Sequence, residues 1–290
     1  MFKRRGLAQF TTALLFSLFS VSISAAPLVW TASQGQSHYT LIGSVHMGDS
    51  GMSSFEDMLS HYVKEADGVI VEANILQPAS PLSATAIATT TRDNLTTQQQ
   101  ATLRSIANQL KLPFRHLMNA PPWLTALQLQ LHQAQQAGLR PEWGIDIQVL
   151  QSAHAQAVPI IELEGIEQQM ALLSQLPENG LPLLLHTLEE WQPMQEMVRC
   201  MSDAWQAGDL AAFERLLDDS RIDNDTDNAL IYQRNRHWSE QLKGHIAPGH
   251  YLVVVGMLHM VGPQGLPSLL KQHGFTVEQA SQSQSSHCYQ

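Results

Sequence analysis

Two stretches of the chain join strand-like runs to residues that can do chemistry. Tyr39-Thr-Leu-Ile-Gly43-Ser-Val-His46 lies near the start, and Tyr251-Leu-Val-Val-Val-Gly256-Met-Leu-His259 near the end. In each, an apolar, partly β-branched run stops at glycine, and a histidine follows three residues later. Such a run reads as a buried strand, with the glycine letting the chain turn sharply as it leaves the sheet. The imidazole is then delivered just past the strand's carboxyl end, the edge where open parallel α/β sheets bind ligands. Two further apolar runs end in acid, Val69-Ile-Val-Glu72 and Val158-Pro-Ile-Ile161-Glu-Leu-Glu164. Two imidazoles with a carboxylate suit Zn²⁺, Mn²⁺, Fe²⁺ or Co²⁺ and leave coordination positions open. A water bound to such a metal becomes a nucleophile near neutral pH, and a second carboxylate can take its proton.

Each residue also has an ordinary reading. The chain has 13 histidines, and a lone strand-exit histidine more often hydrogen-bonds a loop than binds metal. Repetition of Gly-x-x-His on two separate strands is what favours a metal. Glu72 and Glu164 can equally cap helices, Asp146 reads as a helix N-cap, and Arg234 as a surface ion pair. At a site, Arg234 would instead orient a carboxylate or steady an oxyanion. Which of Glu72, Glu162 and Glu164 faces the metal stays open, because adjacent strand residues point to opposite faces. A Gly-rich phosphate loop, a Gly-x-Ser-x-Gly elbow and a His-Glu-x-x-His helix are all absent from the sequence.

The positioning elements follow from periodicity and punctuation. Residues 28–31 and 38–42 read as a hairpin turning at Gln34-Gly35-Gln36. Ser53-x-x-Glu56 reads as a capping box opening a helix that ends near Asp67-Gly68, and residues 69–71 are the next strand. Strand, helix and strand in so short a span imply a parallel pair. Residues 74–94 form a Pro/Ser/Thr/Ala-rich excursion. Helices follow at 97–110, after a Thr97-x-x-Gln100 cap, and from Ala120-Pro-Pro-Trp123 to about 138, and the two read as an insertion or lid. Another helix opens at Trp143-Gly144-Ile145-Asp146, before the strand near 158–164. Residues 181–207 read as one long helix that Pro193 should kink or break. A helix over 226–242 carries Arg234, Asn235 and Trp238, and Phe275-Thr-Val277 is a last strand. The outer thirds look like two copies of one unit, in which Glu278 would correspond to Glu72. The expected architecture is α/β: a small, mainly parallel sheet from two strand–Gly-x-x-His–helix–strand units, flanked by helices, with a large helical insertion at about 75–245.

With 290 residues and 44% hydrophobic content the chain can bury a sizeable core. Acids outnumber bases 26 to 16, so nucleic acid is not an expected partner. Lys3-Arg4-Arg5, the apolar stretch 7–23 and Ser24-Ala25-Ala26 have the form of a secretory signal peptide over residues 1–26. Cleavage there would leave a mature domain 27–290 in the periplasm, with 13 bases, 26 acids and no later membrane span. An uncleaved inner-membrane anchor is the alternative. Cys200 and Cys288 either bridge the polar tail to a helix or remain two thiols.

Several short motifs, taken together, resemble the TraB/GumN family, which also includes the animal Tiki proteins. They are Leu41-Ile-Gly43-Ser-Val-His46-Met-Gly48, Val69-Ile-Val-Glu72, Gly144-Ile-Asp146, Ile161-Glu-Leu-Glu164-Gly-x-Glu167-x-Gln169, Arg234-Asn235-x-x-Trp238 and Val255-Gly256-x-Leu-His259. One departure is Met260-Val-Gly-Pro263 after the second motif, where a more Gly-rich turn is expected. The resemblance implies a ChaN/erythromycin-esterase-like α/β fold. The Tiki members are metal-dependent proteases favouring Mn²⁺ or Co²⁺. Carried over by residue, His46 and His259 become metal ligands, Glu72 ligand or general base, and Glu164 and Arg234 supporting catalytic residues. The expectation is an exported metal-dependent hydrolase, most readily a peptidase, acting on a peptide or protein. The rivals are a periplasmic haem- or metal-binding protein and a non-catalytic regulator that sequesters a peptide.

Overall fold

The computed structural model describes residues 27–77, 89–286 and 288. The signal-peptide reading of residues 1–26, and most of the excursion after Asn74, fall outside them. Within them no helix is long and apolar enough to cross a membrane.

A six-stranded sheet has the order β4-β3-β5-β2-β1-β6. Its strands are β1 (Val29–Gln34), β2 (Ser37–Ser44), β3 (Gly68–Val71), β4 (Ile160–Glu162), β5 (Gly249–Gly256) and β6 (Thr276–Gln279). The β2–β5, β3–β5 and β3–β4 pairs are parallel, while β1 pairs antiparallel with β2 and β6. This is the mainly parallel α/β sheet that the alternating strand and helix patterns imply. The predicted hairpin forms, with Gly35 in the left-handed region at the turn. β6 pairs with β1 at the far edge, so Glu278 lies opposite Thr31, well away from the parallel strand ends. Its correspondence to Glu72 is therefore corrected: the last strand returns beside the hairpin rather than beside β5.

The helices are α1 (Glu56–Lys64), α2 (Thr91–Asn94), α3 (Thr97–Leu110), α4 (Phe114–Asn119), α5 (Pro122–Gln136), α6 (Ile145–Ala155), α7 (Ile166–Ser174), α8 (Leu181–Glu189), α9 (Trp191–Ala207), α10 (Leu210–Asp219), α11 (Asn224–Asp227), α12 (Gln233–Gly244) and α13 (Leu266–Gln272). Two buried apolar clusters organise them. One surrounds the sheet and takes in α1, α6, α10 and Trp205 and Trp238. The other lies among α3, α4, α5 and α8, with Leu103, Leu117, Leu129 and Leu184 fully or almost fully buried.

Local details differ from the sequence expectation for identifiable reasons. Ser53 does not cap α1; its hydroxyl donates to Ser50 O in a 3₁₀ turn that Asp49 opens. The capping box of α3 is Thr96 with Gln99, one residue earlier than expected. The long helix 181–207 breaks at Glu190, which leaves Pro193 in the first turn of α9, where its missing N–H costs nothing. The tail is tied down rather than loose. Val29 N donates to Ser281 Oγ, Ser286 donates twice to Asp209, and Cys288 is disulfide-bonded to Cys200 on α9.

Candidate active site

Four parallel strands end along one edge, and their exits carry His46, Glu72, Glu164 and His259. In the β2–β5 register Gly43 lies beside Val255 and Ser44 beside Gly256, so the two Gly-x-x-His segments leave the sheet side by side. The glycines act differently from the sequence expectation. Neither has positive φ, so neither supplies a turn closed to other residues. They permit close approach instead. A Cβ on Gly43 would lie 2.1 Å from Met257 Sδ and 2.9 Å from its Cα. On Gly256 it would meet Glu72 Oε1 at 3.3 Å and His259 Cδ2 at 3.4 Å. Trp205 fixes the first exit by donating its indole N–H to Gly43 O at 2.6 Å.

The two histidines are anchored alike and exposed differently. His46 Nδ1 lies 2.9 Å from Asp146 Oδ2, and Asp146 Oδ1 accepts from Ser44 Oγ at 2.7 Å. The His46 side chain is 71% exposed. The Asp146 charge, then its hydrogen bond, raises the His46 pKa to about 9. His259 is buried, with Nδ1 2.6 Å from Asn235 Oδ1 and Nε2 3.1 Å from Arg234 Nη1. A guanidinium only donates, so His259 Nε2 is the acceptor and Nδ1 carries the proton to Asn235. Burial first, and then the Arg234 and His46 charges, lower the His259 pKa to about 3. It is a neutral imidazole at physiological pH.

Arg234 lies at the centre of the cluster. Its Nε and Nη2 donate to Glu164 at 2.9 and 3.0 Å, a bidentate pair. Nη2 also donates to Glu72 Oε2 at 2.5 Å, and Nη1 to Leu230 O at 3.0 Å. The Trp238 ring lies 4.6 Å from the guanidinium carbon and 4.6 Å from the His259 ring. Glu72 Oε1 accepts from Gly256 N at 2.7 Å, and Oε2 also from Gln169 at 3.1 Å. Burial works to raise the Glu72 pKa, but His259, Arg234, His46 and the Gly256 N–H outweigh it and hold it at about 2. Since His259 is neutral near pH 7, Arg234 and the protonated His46 are the standing countercharges there. Burial opposes the charge on Arg234 too, yet Glu72 and Glu164 raise its pKa.

His46, Glu72, Glu164, Arg234 and His259 thus share one strand edge, and Arg234 is no surface ion pair. Glu162, the last residue of β4, accepts from Asn74 N at 2.6 Å instead of joining Glu164 on Arg234. Asp146 is not an N-cap: Gly144 holds that position, and the carboxylate goes to Ser44 and His46. Asp146 and Asn235 have positioning roles that local sequence signals miss, since their partners lie 100 and 24 residues away.

The donor chemistry fits a divalent metal ion in kind. Both imidazoles hold Nδ1 on a side-chain oxygen, the arrangement that orients Nε2 in metal-binding histidines, and Glu72 supplies a carboxylate. Among the described residues no three His, Cys, Asp or Glu side chains form a ready ligand group. Arg234 holds the free lone pair of His259 and one oxygen of Glu72. Beside the cluster opens a cavity of about 580 Å³, walled by Leu131, Met194, Met197, Tyr232 and Leu258, with His46 at its margin. The turn Asn228–Tyr232, a π-helical segment, borders this cavity and leads straight into α12, which carries Arg234.

The TraB/PrgY/gumN family profile matches residues 28–279. Uncharacterized protein YbaP of Escherichia coli (strain K12) is 36% identical over 245 residues, covering 82% of this chain and 89% of the relative. Uncharacterized protein YbaP of Shigella flexneri matches to the same extent. No solved structure matches the chain.

Proposed function

Because this chain belongs to the TraB/PrgY/gumN family, we propose that it is an exported, metal-dependent hydrolase, most readily a peptidase, working at the carboxyl edge of its parallel strands. The observation that carries this reading is the matched anchoring of two imidazoles beside a buried carboxylate. His46 is held by Asp146 and His259 by Asn235. His46, His259 and Glu72 are the residues that would hold Mn²⁺, Co²⁺, Fe²⁺ or Zn²⁺. A bound divalent ion polarises a carbonyl and brings the ionisation of water towards neutral pH.

The chain's own groups supply the rest. Glu72 or Glu164 takes a proton, and the guanidinium of Arg234 steadies negative charge developing on the substrate oxygen. Trp238 and the buried strand exits keep water from the inner side of the site. The apolar cavity beside His46 receives the substrate's apolar part. A peptide or protein is the substrate class proposed, and the periplasm the compartment.

Metal content tests this first. The mature protein, purified without chelator, is expected to hold stoichiometric metal and to cleave members of a peptide library. The His46→Ala/His259→Ala variant is expected to lose both while keeping its fold. Wild-type protein that stays metal-free after reconstitution with each ion would overturn the reading. The cavity also favours a second reading, a haem- or metal-binding protein without turnover. A Soret shift on adding haemin, with no peptide cleavage, would select it.

A further inference from the structure

We infer that Arg234 is an internal cation that competes with metal for the site: His259 and Glu72 bind either the guanidinium or a divalent ion, and Glu164 keeps Arg234 close in both cases. This rests on the metal-site reading above and adds what controls occupancy.

The argument begins with lone pairs. The neutral imidazole of His259 has one acceptor nitrogen, and Nδ1 is already committed to Asn235. Nε2 receives Arg234 Nη1 at 3.1 Å, so a metal and this N–H cannot share it. Glu72 has Oε1 on Gly256 N and Oε2 on Arg234 and Gln169. Both inner donors are therefore satisfied by a resident cation. Every N–H of that cation is also used, on Glu164 twice, Glu72, Leu230 O and His259. A guanidinium so fully paired at a nearly buried position is a built feature, not a passing contact.

Removing the guanidinium leaves Glu72 and Glu164, whose side chains are only 8% and 9% exposed, as two buried carboxylates that have lost the cation bonded to both. They stand beside a freed imidazole nitrogen, and buried charge requires a partner. Two carboxylates and an imidazole are donors that a divalent ion satisfies. In the intact protein the same exchange needs Arg234 to leave His259 and Glu72 while holding Glu164. The π-helical segment before α12 offers the play for that motion, since such segments break the regular ladder.

The test is metal affinity, not turnover. EDTA-stripped mature protein is titrated with Mn²⁺, Co²⁺ and Zn²⁺ by calorimetry, beside Arg234→Gln and Arg234→Lys. Arg234→Gln is expected to bind at least one ion tenfold or more tighter than wild type, and Arg234→Lys, whose single ammonium cannot hold His259, Glu72 and Glu164 at once, to gain less but still bind tighter than wild type. Lysine retains a countercharge for the two carboxylates, so Arg234→Lys keeps the experiment decisive if Arg234→Gln does not fold. Circular dichroism checks the fold of each. Variants that gain metal binding where wild type has none support the competition while overturning metal-dependent activity in the wild type. Variants that bind equally or more weakly than a metal-binding wild type overturn it and leave the metal site standing. A purely structural Arg234 predicts that result, because it has no way to raise affinity. Absence of binding in all three proteins overturns both this inference and the metal-site reading.

Discussion

At the scale of single residues, the site depends on side chains whose only task is to aim others. Asp146 stands between Ser44 and His46, and its charge keeps the exposed imidazole protonated well above the ordinary range. Asp146→Asn should bring the His46 pKa down from about 9 towards the ordinary histidine value of 6.5. An NMR pH titration of the metal-free protein would read this directly, and an unchanged midpoint would show that Asp146 is not the cause. The sign for stability follows. A histidine pKa raised in the folded state contributes fully below its unfolded value and loses that contribution as pH rises through about 9. With the ring 71% exposed, solvent screens most of the effect, so the pKa is the better observable. That His46, His259, Glu72 and Glu164 come to one edge was legible because each follows a strand signal, whereas Arg234 entered through the family resemblance. Asp146 and Asn235 were not legible, because their roles come from partners brought near only by the fold.

Elements show the same division between local and distant causes. The strands were readable from apolar runs ended by glycine or acid, and the parallel arrangement from the compact strand–helix–strand unit. Placement of β6 was not readable, since pairing with β1 depends on which edge of the sheet lies open. The helix break near residue 190 was foreseen in kind from Pro193, although the chain places proline just inside the new helix. At the start of α10, Asp209 caps Ala212 N and also receives Ser286 N and Oγ. Burial raises its pKa, but these hydrogen bonds hold the carboxyl below the usual value of 3.8. Its contribution to stability is therefore present above pH 3.8 and lost as pH falls through the depressed value. Asp209→Ala should cost about 1–3 kcal/mol near neutral pH, from the lost cap and the orphaned tail amide. Urea unfolding of both proteins at pH 7 and in strong acid would check it. A difference that persisted undiminished in acid would rule out the ionised carboxylate as its source.

For the whole molecule, two apolar clusters and one covalent tie set the stability. The sheet cluster holds the strand edge in place, and the helical cluster of α3, α4, α5 and α8 stabilises its own helices. The Cys200–Cys288 disulfide spans 88 residues and fastens the tail to α9. Sequence alone left this pair open, because nothing local ties a polar tail to a helix so far upstream. Replacing both cysteines by serine should lower stability by about 2–4 kcal/mol, the usual range for a loop closed in the unfolded chain. Denaturant curves with and without reductant would measure it, and wild type should match the variant only when reduced.

The central strand pair has a further consequence, for the order in which the protein can come into being. β2 ends at Ser44, but the neighbour that completes both it and the site begins at Gly249. The seam closes only once residues 249–256 are available to β2, and contacts so far apart in sequence form slowly. Until then His46 has no counterpart and β3 lacks the strand between itself and β2. A chain clipped before Gly249 therefore leaves the sheet open and the candidate site unassembled at once.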